Sequence, residues 1–175
     1  GSAALSVPEL FYHTYSYHFL FLDYLIYILI VVYLYLEIFG GGDGMGKTYT
    51  QINVGDTASF EKTISETDVY MFAGITGDLN PAHVNHEAMK NTKFGGRIAH
   101  GMLSAGLVSA VLGMQLPGPG TIYLSQQLNF KAPVKIGDTI KAVAEVVEKL
   151  EKGRVKLKTS CYNQDGVEVL DGEAL

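Results

Sequence analysis

Asp78 and His83 are the residues of this chain whose types and spacing most directly suggest chemistry. They flank Asn80-Pro81 in the run Phe72-Ala73-Gly74-Ile75-Thr76-Gly77-Asp78-Leu79-Asn80-Pro81-Ala82-His83, a stretch otherwise poor in charge. A carboxylate and an imidazole brought to one side of a turn can hold a water between them and move its protons. The proline pushes Asn80 out of the helical region and has the fixed φ of a first helical position. Asn80 is therefore expected to cap a helix that begins at Pro81. His83 then falls in the first turn, where the positive end of the helix dipole disfavours an imidazolium and leaves the neutral ring that exchanges protons. The spacing alone also fits a turn aspartate beside a surface histidine.

A second chemical feature lies in residues 94–116. Gly95-Gly96 reads as a loop, and from about His100 a helix is expected that is apolar on nearly every side and therefore buried. Gly101, Ala105 and Ser109 recur every four positions, with Gly106, Ala110 and Gly113 as a neighbouring stripe. A glycine inside a helix costs about 1 kcal/mol against alanine, so three of them imply a close packing requirement. The N-terminus of such a helix presents unpaired N–H groups, and Gly101 has no side chain to block them. A carbonyl oxygen gaining negative charge can be held there.

The elements that must position these groups are legible around them. Val54-Gly55-Asp56 marks a turn, and residues 57–64 alternate like a half-buried strand. Ser65 and Asp68 form a capping-box pattern, followed by the apolar stripe Val69, Phe72, Ala73, with Gly74 and Gly77 ending the helix. After the central helix, Pro117-Gly118-Pro119-Gly120 breaks the chain. Strands are expected at residues 121–130, 138–148, 155–162 and 167–174, joined by turns short enough to make them antiparallel. The last of these is expected at an outer edge of the sheet, running on past Leu175. The order predicts an α+β fold: a curved antiparallel sheet wrapped around a long central helix.

Residues 45–175 form one expected domain, consistent with the 175-residue length. Residues 1–44 read as a leader outside it. Residues 19–39 are hydrophobic and long enough to cross a bilayer of about 30 Å, but no basic residues flank them and no cleavage pattern follows. A glycine-rich linker, Gly40-Gly41-Gly42-Asp43-Gly44, leads to Met45, which reads as a native start, and Gly1-Ser2 reads as a cloning remnant. A membrane partner is expected only if residues 19–39 are a real anchor. His13 and His18 have no acidic or cysteine partners at metal-ligand spacing.

A net charge of −5 argues against nucleic acid as a partner. Lys149, Lys152, Arg154, Lys156 and Lys158 alternate with glutamates as on a solvated sheet face. The single cysteine, Cys161, excludes an internal disulfide and fits a reducing, cytoplasmic location.

Residues 72–83 resemble the pattern F-A-x-x-[ST]-G-D-x-N-P-x-H of the MaoC-like hydratases, in particular the (R)-specific enoyl-CoA hydratases of hot-dog fold. Ile98-Ala99-His100-Gly101-Met102 resembles the start of the family's central helix, and residues 123–134 the strand after it. The resemblance covers about residues 49–175. It implies that Asp78 and His83 are the dyad activating the water added to a trans-2-enoyl thioester, and that the Gly101 N–H binds the thioester oxygen. It further implies that Ser109 hydrogen-bonds the catalytic aspartate, while Asn80 supports the dyad as a cap. Ser109 lies roughly 12 Å along the helix from Gly101 at 1.5 Å per residue, so the two cannot touch one ligand atom.

The implied reaction is hydration of trans-2-enoyl-CoA to (R)-3-hydroxyacyl-CoA and its reverse, in fatty-acid or polyhydroxyalkanoate metabolism, with no metal or other cofactor. The implied assembly is a homodimer with the acyl-CoA tunnel along its interface. A hot-dog acyl-CoA thioesterase, a dehydratase acting on acyl-carrier-protein thioesters, and a non-catalytic acyl-CoA-binding protein are the alternatives.

Overall fold

The computed structural model describes residues 29–30 and 46–175. The chain divides into the units Gly1–Gly44 and Met45–Leu175, and every element named below belongs to the second. Of the hydrophobic stretch at residues 19–39, only Leu29 and Ile30 are described, in helical conformation. The anchor expectation therefore lies mostly outside the described residues. Among those residues no helix is long and apolar enough to cross a membrane.

Five strands make one antiparallel sheet: β1 (Thr57–Thr63), β2 (Gln126–Phe130), β3 (Thr139–Leu150), β4 (Arg154–Tyr162) and β5 (Glu168–Ala174), in the order β1-β3-β4-β5-β2. Period-two burial decides which face is inside. In β3, Ile140, Ala142, Ala144 and Val146 are fully buried and alternate with more exposed residues. The register slips between Val146 and Glu148, where Val147 is the extra residue of a bulge that bends the strand. The bend lets the sheet curve around one long helix, α4 (Gly101–Met114).

That helix lays Leu107, Val108, Val111 and Leu112 against the buried sheet face, beside Leu157, Cys161, Val169 and Leu170. Each large aliphatic side chain so buried contributes about 1.5–3 kcal/mol relative to exposure. Burial at the bottom of this core pushes the Cys161 thiol up to about 12.

Three expectations need correction. The central helix is not buried on every side: Met102, Gly106, Ser109 and Gly113 are exposed, because only one of its faces has this chain's sheet beneath it. A Cβ placed on Gly106 or Gly113 would meet open space. The strand expected over residues 121–130 pairs only from Gln126, because β5 ends at Ala174 and Leu175 alone carries the bonds on to Leu124 and Ser125. The last strand is not an edge either: β5 lies between β4 and β2, and the sheet edges are β1 and β2.

Helix α1 (Glu66–Thr76) starts as the sequence predicts. Ser65 Oγ accepts from the Asp68 N–H, and the Asp68 carboxylate accepts from the Ser65 N–H at 2.8 Å. It runs through Gly74 and ends at Gly77, whose φ of 76° is the left-handed conformation that closes the helix at the lowest steric cost for glycine. Two one-turn helices follow, α2 (Pro81–Val84) and α3 (His86–Met89).

Candidate active site

The loop between α1 and α2 is shaped by its own polar side chains. Thr76 Oγ1 donates to the Phe72 carbonyl and accepts from the Asp78 N–H, and Asp78 Oδ1 accepts from the Asn80 N–H at 3.2 Å. Asn80 is the expected cap, its side chain accepting from the Ala82 N–H at 3.0 Å. His83 stands in the first turn of α2, as expected. That helix is a single turn, however, and has little dipole to act on the ring.

A carbonyl orients the His83 ring instead. Nδ1 lies 2.8 Å from the Ile98 oxygen, which can only accept, so Nδ1 carries the proton and Nε2 is left with its lone pair. The Ile98 N–H in turn donates to the Ala82 carbonyl at 3.0 Å, tying α2 to residue 98 from both directions. Arg97 ties α1 to the same segment through an ion pair with Glu66 and a bond to the Tyr70 hydroxyl at 2.7 Å. The Arg97 guanidinium beside Glu66 holds that carboxyl below its ordinary value.

His100, which the sequence presented only as a helix start, completes the cluster. It is the cap residue of α4 and is 2 % exposed. Its ring stacks on His83 with centroids 3.8 Å apart and meets Phe72 at 4.9 Å. One ligand-type atom from each of Asp78, His83 and His100 lies within 4.8 Å of the others. The stacked rings are only 29° apart, so their in-plane lone pairs run side by side rather than towards a shared point. Each ring also has one nitrogen against a carbonyl. This donor set suits proton handling more than metal coordination.

Gly101 follows at the first position of α4, where its N–H lies outside the helix's own ladder. A Cβ there would come within 2.7 Å of the Phe130 ring, so any larger residue at this position has to displace that ring or the helix start. A cavity of about 400 Å³ opens beside it, lined by His83, Gly101, Met102, Ser104, Phe130 and Val134 among others. Its walls are predominantly apolar, as a site for an acyl group requires.

Asp78, His83 and Asn80 are thus brought together, with Gly101 adjoining through His100. Ser109 is not. It sits on the exposed face of α4, and among the described residues no hydrogen bond joins it to Asp78. Ser104, one turn beyond His100, is a buried hydroxyl without a partner, as is the Nδ1 position of His100. The available signal for His100 was its place immediately before the helix-starting glycine.

Comparison with known proteins identifies the family and the fold. The family described as MaoC like domain matches residues 50–167. The chain belongs to that family. A relative in Rhodospirillum rubrum named (R)-specific enoyl-CoA hydratase is 54 % identical over 127 residues, covering 72 % of this chain and 88 % of the relative. A protein of Methylorubrum extorquens named 3-hydroxybutyryl-CoA dehydratase is 52 % identical over 128 residues, covering 73 % and 81 %. The solved structure of R-hydratase PhaJ1 from Pseudomonas aeruginosa superposes with a TM-score of 0.72 at 48 % identity, over 74 % of this chain and 83 % of that one. The fold is the hot-dog fold, as the motif resemblance implied. Most of each relative's length is matched.

Proposed function

We propose that this chain catalyses the (R)-specific hydration of trans-2-enoyl-CoA to (R)-3-hydroxyacyl-CoA, and the reverse dehydration, within fatty-acid or polyhydroxyalkanoate metabolism. The observation that carries the proposal is the meeting of Asp78 and His83 beside the free N-terminus of α4, at the mouth of an apolar cavity.

The chemistry follows from that arrangement. An α,β-unsaturated thioester is electrophilic at its β-carbon because negative charge can move onto the thioester oxygen. The Gly101 N–H, at the positive end of a 14-residue helix, receives that charge. A water held between the Asp78 carboxylate and His83 Nε2 loses one proton to this pair as its oxygen bonds to the β-carbon. The same pair returns a proton to the α-carbon, so no net proton is consumed. Ile98 keeps His83 in the tautomer whose Nε2 can take part.

The experiment is loss of the enoyl ultraviolet absorbance when the protein is mixed with crotonyl-CoA and longer enoyl-CoA esters, with the product's configuration assigned at C3. Formation of the (R)-3-hydroxyacyl-CoA is expected. Release of free CoA thiol without loss of the enoyl group would assign a thioesterase instead. Cys161 is fully buried and its thiol is pushed up to about 12, so the protein itself adds no background to a thiol reagent.

The proposal extends to a homodimer, supported by the uncovered face of α4 at Met102, Gly106, Ser109 and Gly113, and by the two open sheet edges. Light scattering is expected to give twice the chain mass. It also extends to residues 1–44 as a leader dispensable for catalysis and to a cytoplasmic location. A variant starting at Met45 is expected to keep full turnover.

A further inference from the structure

We propose that His100 is the positioning residue of this site, the group that fixes the acid–base pair relative to the oxygen-binding N–H. This rests on the hydratase reading above and adds to it a role for a residue that does not touch the substrate.

The Asp78 loop is held first by its own bonds. The bonds formed by Thr76, Gly77, Asp78, Leu79 and Asn80 with one another and with α1 and α2 all span five residues or fewer. Such bonds define the loop's shape but not its place against the rest of the fold. Among the described residues, one hydrogen bond reaches the Asp78 residue from another element: His100 Nε2 lies 3.0 Å from the Asp78 carbonyl oxygen. That oxygen can only accept, so Nε2 carries the proton and Nδ1 does not. The Asp78 carboxylate is 4.0 Å from the same nitrogen. The contact is therefore to the main chain, and the carboxylate remains available for water.

The ring does a second thing with its faces. Stacked on His83 at 3.8 Å and against Phe72 at 4.9 Å, it prevents His83 from tilting away from Asp78. Its main chain does a third, because the next residue is Gly101 and the His100 carbonyl accepts the Leu103 N–H, closing the first turn of α4. Its Nδ1 is buried and has no partner among the described residues, so the ring is not held in place for that atom's sake. One rigid, buried side chain thus sets the distances among carboxylate, imidazole and N–H. Such distances matter steeply, since a displacement of about 1 Å can cost about a hundredfold in rate.

The test compares wild type, His100→Phe, His100→Gln, His100→Asn and Asp78→Asn in crotonyl-CoA hydration, with thermal melts of each. Phenylalanine keeps the stack and loses the donor. Glutamine's amide reaches the Nε2 position, whereas asparagine's reaches only that of Nδ1. His100→Phe is expected to lower kcat at least about tenfold with KM within about threefold, and glutamine to recover kcat to within about fivefold of wild type. His100→Phe with wild-type kcat, or glutamine no better than asparagine, would overturn the proposal. Should His100→Phe not fold, the glutamine–asparagine difference decides alone. Imidazole nitrogen spectra of the wild-type chain supply a readout independent of turnover: a proton on Nε2 and none on Nδ1 is expected, and the opposite tautomer sinks the idea whatever the reaction. Absence of hydration by wild type defeats the functional reading. Activity in wild type and His100→Phe but not Asp78→Asn defeats this one.

Discussion

Residues 76–83 and residues 98–101 supply the two halves of the site, and they are held by opposite means. The first segment is largely exposed and takes its shape from short-range bonds, namely the Gly77 turn, the Thr76 and Asp78 side chains on nearby backbone and the Asn80 cap, and it meets the rest of the fold through the bonds of Asp78, Ala82 and His83 to residues 98 and 100. The second is fixed from a distance. The Ala99 N–H donates to the Val134 carbonyl at 2.8 Å, Ile98 bridges to Lys135, and Gly101 is pressed against Phe130. Reactive groups on a locally folded loop, set by a rigid neighbour, can be replaced without collapse of the core. The rigid neighbour tolerates far less change in volume.

The contrast can be broken most severely at the loop, where the effect should fall on rate and not on stability. Asp78→Asn and His83→Ala are each expected to lower kcat for crotonyl-CoA hydration at least about a hundredfold. Their melting temperatures should stay within a few degrees of wild type, given that both side chains lie outside the hydrophobic core. Near-normal turnover by either variant would remove it from the mechanism.

The opposite end of the comparison is Gly101→Ala. The added methyl would come within 2.7 Å of the Phe130 ring, and relieving that overlap must move either the ring or the helix start. Overpacking of this kind costs about 1–3 kcal/mol, so a fall of about tenfold or more in kcat/KM is expected. Phe130→Ala in the same chain should restore part of it, because the two residues share one contact and their effects should not add. Full additivity would show that the methyl acts on the ligand and not on Phe130.

The asymmetry between the segments also explains what could be read from the residues alone. Ser65 with Asp68, Asn80 with Pro81, and Gly77 announce their roles because their partners are within a few positions. All three stand where expected, whereas Gly74, with no positive φ, is simply passed through by α1. The strands of the second half are legible through period-two burial, most clearly in β3. His100 was not legible, since its partners, the Asp78 carbonyl and the His83 ring, are far from it in sequence and meet it only after folding. The α4 face at Gly106, Ser109 and Gly113 misled for a related reason. Small apolar residues signal close approach without saying which surface approaches, and this chain's own sheet is not that surface.

Smaller effects sharpen the local side of the contrast. Asn80→Ala removes the acceptor for the Ala82 N–H, and loss of such a cap costs about 1 kcal/mol. In a chain of this size that corresponds to a drop of about 2–4 °C in melting temperature. Because α2 carries His83, kcat should fall as well, though by less than on replacing His83 itself. A melt unchanged within error would mean that the Ile98 bonds alone hold α2.

The smallest expected effect concerns the start of α1. The Ser65 N–H, then the Ser65 hydroxyl, and the Lys62 ammonium paired to it at 3.0 Å, hold the Asp68 carboxyl below the ordinary aspartate value of 3.8. A carboxyl whose folded value is depressed stabilises the fold at pH above its unfolded value, and that contribution is lost as pH falls through the folded value. Asp68→Asn should therefore melt about 1–2 °C below wild type near neutrality, in line with a partly exposed first-turn carboxylate. The gap should close as the pH falls through the folded value, which lies below 3.8, because wild-type Asp68 then also becomes neutral. Turnover should hardly change, because the capping box fixes where α1 begins, while Gly77 and the His100 contact fix where its far end delivers Asp78. A parallel loss of kcat would instead mean that the position of Asp78 is set along the whole of α1, and that the loop is less locally determined than its hydrogen bonds indicate.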